Sequence, residues 1–385
     1  MTALSIFRAN NPLCFTHTYL ASAFHNGGTI SSRRGIDRYF TDCEKYGAHA
    51  KKSWNATADE TRKLACLLVG GESSRGIAFT KNTVEGLNLI ARAFPWKKGD
   101  NIVVSDQEHT SNLMPWLALK DIGVECRVVK AESYSPDVDN FAAVVDEHTR
   151  MIAVSHVQAS TGYTCDLEAL GSFCRRKGIF LVVDAIQSLG LLPFKAEEWG
   201  VSAVSCGGHK ALLAVPGIGI LYVSPALLSI LKPQHAGSSG AMTIDRDKWE
   251  NVCLDPLSAL KLEQSNLNYP GIYALNEGLS LIVNAGIEPI ADHIASLSAL
   301  LYKGLEEIGY TLVTPADPAH RAGIISVSVP DPDGMRDFMA ENNVAVSRMD
   351  AGFVRFSLAA CSNDEDVAAA LRAAKCYYDS FISSK

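Results

Sequence analysis

Between residues 79 and 223, short β-branched apolar runs alternate with segments whose apolar residues recur every three or four positions. That alternation predicts an α/β fold with a mostly parallel sheet flanked by helices. The predicted strands are 101–104, 125–129, 151–155, 179–183, 203–206 and 217–223. Over 83–94, the spacing of Val84, Leu87, Ile90 and Phe94 predicts a helix with one buried face. After Pro233 the pattern breaks into an irregular stretch containing GSSG and LDPLSALKLEQSNLNYPG, and helical periodicity returns around 273–285 and 290–309. Strands at 323–329, 344–347 and 353–358, interleaved with helices at 333–342 and 364–382, then predict a smaller α+β unit. The first forty residues do not fit the sheet series and are assigned to that unit. The expected organisation is 1–40 joining the small domain, 41–287 as the large domain and 288–385 as the small C-terminal domain.

Length and composition narrow the function classes. A chain of 385 residues holds two or three folding units at about 150 residues each. With 47% apolar and 20% charged residues, disorder and disulfide-scaffold readings fall away. The net charge of −7 argues against a general nucleic-acid binder, which needs a basic face to offset phosphates. No apolar run approaches the 18 or so residues that span a bilayer, and no leader pattern opens the chain. A soluble cytoplasmic protein with no membrane partner is expected. The 10 cysteines are scattered without a C-x-x-C pair, so no metal site is expected and most should pack as small apolar groups.

The candidate chemistry lies at strand ends. Asp184 closes the apolar run GIFLVVD, which places a carboxylate in the crevice where open α/β sheets bind ligands, although a turn aspartate would read the same way. Gln187 follows three residues later. The segment CGGHK sets Lys210 just past a strand, where glycines let the backbone approach a ligand and a desolvated amine can form an imine. In FTKNTVEGLNLIA, Asn82 and Thr83 open an amphipathic helix, with Glu85 placed as in a capping box. Such a terminus binds phosphate naturally, and a plain structural cap explains the same residues equally well. His109 sits in the polar DQEHTSN loop. Together these pieces suit a phosphorylated pyridine aldehyde: a carboxylate for the ring nitrogen, a lysine for the aldehyde, amides for the phosphate and an aromatic plate over the ring.

On FTKNTVEGLNLIA, EHTSNLMPW, SHVQASTG, VVDAIQSLG, GGHKALLAVPGIGILYV and VRFSLAACSNDEDV, the chain resembles the class V aminotransferases. These are fold-type I pyridoxal-phosphate enzymes that include cysteine desulfurases, selenocysteine lyases and isopenicillin N epimerase-like proteins. The resemblance implies pyridoxal 5'-phosphate as cofactor, Lys210 as its imine lysine, Asp184 beneath the ring nitrogen and His109 stacked on the ring. It implies Gln187 at the ring hydroxyl, and His209 with the Asn82, Thr83 and Val84 turn at the phosphate. Arg355 would hold the substrate carboxylate, a role suited to its bidentate fork; a structural ion pair is the other reading. The resemblance further implies a homodimer in which Asn266, in EQSNLNYPG, reaches the neighbouring subunit's phosphate.

The chain also departs from the desulfurase pattern. Where desulfurases carry a nucleophilic cysteine before the arginine strand, this sequence reads SRMDAG, so a persulfide relay by that route is not expected. Cys361 and Cys206 read as packing residues. Ala159 and Gly207 stand where an asparagine and a serine are common, with Gln158 or Ser160 as substitutes at the ring oxygen. The expected activity acts on an α-amino acid through an external aldimine and carbanion, as a C–S β-elimination lyase. The alternative is an aminotransferase, epimerase or carbon–carbon bond-forming enzyme of secondary metabolism. Side-chain recognition is expected from His25, Asn26 and Arg34 in the first forty residues.

Overall fold

The computed structural model describes residues 4–131, 134–235, 237, 241–243 and 253–382. Its large sheet has seven strands: β1 (Ile77–Thr80), β2 (Asn101–Ser105), β3 (Glu125–Val129), β4 (Thr149–Ser155), β5 (Phe180–Asp184), β6 (Val201–Gly207) and β7 (Gly219–Val223). Their order is β1-β7-β6-β5-β4-β2-β3, and only β7 runs against the other six. Nearly continuous apolar runs follow from burial on both faces. Val103, Ile152, Val154, Val183 and Val204 pack into one hydrophobic cluster, while their neighbours Ile102, Val104, Ala153, Val182 and Ala203 pack into the other. Each valine or isoleucine among them contributes roughly 1.5–3 kcal/mol on burial.

The predicted strands are all present, with ends moved by one or two residues. The edge strand β1 was not predicted. Its apolar run, IAF, is too short to register as a period, and its burial comes from pairing with β7, which lies about 140 residues later in the chain.

The helices that position the site are α1 (Ile30–Tyr46), α2 (Thr83–Ala93), α3 (Tyr269–Ala285), α4 (Ile287–Ile308) and α5 (Asp364–Phe381). Gly35 on α1 lies so close to α3 that a Cβ there would stand 2.4 Å from the Tyr273 carbonyl oxygen. A second sheet holds β8 (Thr311–Leu312), β9 (Ile324–Ser328), β10 (Ser347–Arg348) and β11 (Phe353–Ser357), in the antiparallel order β8-β9-β11-β10. The strand predicted at 344–347 is split. Its first half, Val344–Ala345, pairs in parallel with Thr18–Tyr19, whereas Ser347–Arg348 pairs with β11. Most of the GSSG stretch lies outside the described residues.

Residues 18–29 form a strap between the two sheets. Ala21 bridges to Ser357 of the small sheet, and a few residues on, the Asn26 amide donates to the His209 carbonyl (3.1 Å) beside the large one. Among the described residues, no helix is long and apolar enough to cross a membrane.

Candidate active site

A cavity of about 400 Å³ opens at the carboxyl ends of β1, β2, β4, β5 and β6, which all point the same way. The strap supplies Ala23 and Phe24 to its wall, and the small sheet covers it with Ser347, Arg348, Met349, Asp350 and Arg355. Asn82, Thr83, Val84, His109, Asp184, Gln187, His209 and Lys210 all line this one space. Among the described residues there is no cluster of histidine, cysteine and acidic side chains fit to hold a metal.

Asp184 is the last residue of β5 and is 3% exposed, and its Oδ1 accepts from the Ile186 amide at 3.0 Å. Burial pushes its carboxyl up to about 7, with the negative Glu108 adding to the rise and Lys210 opposing it. A carboxylate in that condition is completed by a cation, which a protonated pyridine nitrogen would provide. The two glycines before His209 and Lys210 bring the chain tightly out of β6. Burial pushes the Lys210 amine down to about 8, opposed by Asp184 and reinforced by Arg355. Part of the lysine population is therefore neutral near physiological pH, as imine formation requires.

At the phosphate end, the Asn82 side chain accepts from the Glu85 amide (2.9 Å) and so caps α2. The predicted capping box does not close. The Glu85 carboxylate accepts from the Lys81 amide at 2.6 Å instead of the Asn82 amide. The Thr83 hydroxyl accepts from the Gly207 amide (3.0 Å), and its carbonyl accepts from Ser205 Oγ (2.9 Å). These bonds pin α2 onto β6 and leave the first amides of an 11-residue helix to meet an anion. Burial, with Lys210 and His25 nearby, lowers His209 to about 4, so it offers a neutral N–H.

His109 Nδ1 accepts from the Ser111 amide at 3.1 Å, which puts the proton of the neutral ring on Nε2. Burial, followed by Lys210 and Arg355, disfavours its imidazolium. Gln187 Nε2 donates to the Ala23 carbonyl (3.1 Å), so this residue ties the strap to the cavity wall.

Arg355 lies mid-strand on β11 and is 4% exposed. Its Nη1 donates to the Ala159 carbonyl at 2.7 Å, while its Nε is buried without a partner among the described residues. Burial lowers the guanidinium to about 10, so it remains a cation. A buried cation with an idle donor is suited to a carboxylate. The ion-pair reading of Arg355 therefore gains no support, as no carboxylate partners it among the described residues.

Ala159 serves through its backbone. Gly207 has little room for a serine, since a Cβ there would stand 3.2 Å from His209 Nδ1. Gln158 donates to Glu108, and Ser160 presents its carbonyl to Ser326, so neither lines the cavity. Asn26 is buried, donates to the Ala214 carbonyl and lines an apolar chamber that also holds Lys210, whereas Arg34 pairs with Glu277 on the surface, outside the cavity. The His25 ring lies 6.1 Å from the His209 ring. Asn266 is not in the cavity. It sits exposed with a left-handed φ of 57° in a surface groove beside Lys81 and Glu85.

Sequence reasoning missed Glu108. This buried carboxylate accepts from the Ser155 amide (2.8 Å), Ser155 Oγ (2.6 Å), Gln158 Nε2 (2.9 Å) and Asn112 Nδ2 (2.7 Å). Burial raises its proton affinity and the four donors pull it back. It thereby fixes both the His109 loop and the Ala159 loop that holds Arg355. Its signal was the adjacency to His109 in QEH, which is silent without the fold. Glu108→Ala should lower the unfolding free energy by about 3 kcal/mol, the order expected when several buried donors lose their acceptor. Urea denaturation of the purified variant checks this.

Residues 36–369 match the family model for aminotransferase class-V. The chain belongs to the class V aminotransferase family. Membership makes it a pyridoxal-phosphate-dependent enzyme and agrees with the expected fold. It is similar to a probable cysteine desulfurase of Methanothermobacter thermautotrophicus, 31% identical over 85% of this chain and 81% of the relative. The fold matches the apo cysteine desulfurase of Thermococcus onnurineus NA1 with a TM-score of 0.88 at 23% identity, over 97% and 98% of the two chains. It also matches the cystine C–S lyase C-DES, solved with cysteine persulfide, with a TM-score of 0.86 at 20% identity over 93% and 97%.

Proposed function

We propose that this class V enzyme is a C–S β-lyase acting on cysteine derivatives without a protein persulfide relay. The observation that carries the reading is the cavity wall at Ser347, Arg348, Met349 and Asp350, where no thiol faces the space. A desulfurase of the relay type needs a nucleophilic sulfur on that wall. Elimination needs only a base, an electron sink and a leaving group.

The residues present fit pyridoxal phosphate, which supplies an aldehyde carbon for an amine and a ring that accepts electrons from Cα. The first amides of α2 and the His209 N–H would hold its phosphate, and Asp184 would keep a proton on its ring nitrogen. Arg355 binds the substrate carboxylate and so turns the Cα–H bond toward Lys210. Lys210 Nζ takes the Cα proton, the Cβ–S bond breaks, and the sulfur leaves as sulfide from cysteine, as a thiol from an S-alkylcysteine or as a persulfide from cystine. The three-carbon enamine that remains takes up one water and ends as pyruvate and ammonia.

A homodimer accompanies this reading. Asn266, held in its left-handed turn on the outer face, is suited to reach a second subunit. The deciding experiment supplies the holoenzyme with cysteine, cystine and S-alkylcysteines and measures pyruvate and the released sulfur product, which is sulfide, persulfide or thiol respectively. Equal amounts of both support the lyase. Consumption of the amino acid without pyruvate, or conversion of its α-amino group to an oxo acid with the sulfur retained, refutes it.

A further inference from the structure

Phe24 lines the active-site cavity from the strap, yet it is 73% exposed. The backbone that carries it is anchored on both sides. Ser22 Oγ donates to the Ser357 and Leu358 carbonyls (2.9 and 3.0 Å), and the Ala23 amide donates to Ser357 Oγ (3.0 Å). The Phe24 amide donates to the Ala21 carbonyl (2.9 Å), and the Tyr19 hydroxyl donates to the His25 carbonyl (2.9 Å). An apolar ring on so fixed a backbone stays at the cavity mouth. Met349, which is half-buried, lines the same cavity from the hairpin between β10 and β11, where its amide donates to the Phe353 carbonyl (2.8 Å).

We propose, resting on the β-lyase reading above, that Phe24 and Met349 bind the substituent on the substrate sulfur, and that the preferred substrates are cysteine S-conjugates carrying an aromatic or bulky apolar group. The position of the substituent follows from the groups already assigned. Arg355 takes the carboxylate, Lys210 meets Cα, and the Asn82–Val84 turn with His209 serves the cofactor phosphate. The part of the cavity left for the side chain is bounded by the strap and residues 347–350.

Charge decides the class of substituent. Arg348 Nη1 already meets Asp350 at 3.0 Å, and its Nε meets Asp333 at 3.6 Å. A substituent ending in an acid must compete with both carboxylates, and one ending in an ammonium must compete with Arg348 for Asp350. Phe24 has apolar surface in water instead, and covering it is favourable, with an edge-on or offset ring pair adding to the gain. Met349 offers a flexible, polarisable second wall. Size removes the other apolar space from contention: the chamber beside Asn26 and Lys210 holds about 40 Å³, well under the roughly 150 Å³ of a cavity that takes up benzene.

The test uses holoenzyme and carbon isosteres of S-methylcysteine, S-benzylcysteine and cystine, in which methylene groups replace sulfur and no leaving group can depart. Titration calorimetry gives Kd for each. The benzyl isostere should bind about 10-fold more tightly than the methyl isostere, and Phe24→Ala should bring the two within about threefold of each other. Met349→Ser should narrow the gap by a smaller factor. Gel filtration of each variant follows its assembly state. Equal Kd values for the methyl and benzyl isosteres in the parent enzyme would overturn the proposal, as would tighter binding of the cystine isostere than of the benzyl one. A benzyl preference that survives Phe24→Ala also overturns it, and a change of assembly state in that variant would then make Phe24 a subunit contact. Failure of the lyase reading shows separately: S-benzylcysteine yields no pyruvate while its isostere keeps the Phe24-dependent affinity.

Discussion

Lys210→Ala is expected to lower kcat by about 10²- to 10⁴-fold, the range for removal of a positioned proton-transfer group. The same change removes the only lysine lining the cavity among the described residues, so borohydride treatment should no longer leave a cofactor adduct on the peptide containing position 210. Lys210→Arg separates charge from chemistry. It restores a cation beside Asp184 but cannot form the imine, so it should be as inactive as the alanine variant. An adduct retained on another lysine with near-normal kcat would remove the basis for the assignment. Steady-state kinetics and mass mapping on the same preparations give both readouts.

Arg355→Leu should raise KM for the amino-acid substrate by about 10²-fold or more, because truncating one partner of a buried charged pair costs roughly 2–5 kcal/mol. Two details of the structure set that size. The guanidinium is 4% exposed, so water cannot replace it, and its Nε has no other partner among the described residues. Cofactor binding should be unchanged, since Arg355 reaches the cavity from β11 while the proposed phosphate and ring contacts come from the large sheet. Arg355→Lys should recover part of the loss but not the bidentate geometry. Initial-rate measurements with absorbance of the bound cofactor distinguish the effects. A KM within twofold of the parent enzyme would reassign the substrate carboxylate to another group.

The parts of this architecture that were legible in the sequence are those where burial and local pattern coincide. The strands ending in Ser155, Asp184 and Gly207 are apolar runs because both sheet faces are covered. Their terminal polar residues stand out for the same reason, and Asp184 and the GGHK turn could be nominated without a fold. Glu108 could not. Its importance rests on four donors, of which Ser155 and Gln158 lie 47 and 50 residues away, and nothing in the local composition marks that convergence. The N-terminal helix α1 escaped notice because it buries only a narrow stripe, Ser31, Ser32 and Gly35, which carries no apolar period. The Glu85 contact was misassigned because the same N-x-x-E pattern serves whether the carboxylate reaches the Asn82 amide three residues back or the Lys81 amide four residues back. Asn266 is separate again: sequence likeness named it, and within one subunit it faces a different groove from the cavity.

The strap also constrains how the chain is made. Arg8 hydrogen-bonds to Asp366 across a separation of 358 residues, and Thr18–Tyr19 pairs with Val344–Ala345. Residues 344–366 must therefore have been synthesised before Arg8 and residues 18–19 find these native neighbours. Until then the seven-stranded core can assemble, but its ligand mouth stays unroofed, and a product lacking either of the paired segments would keep it so.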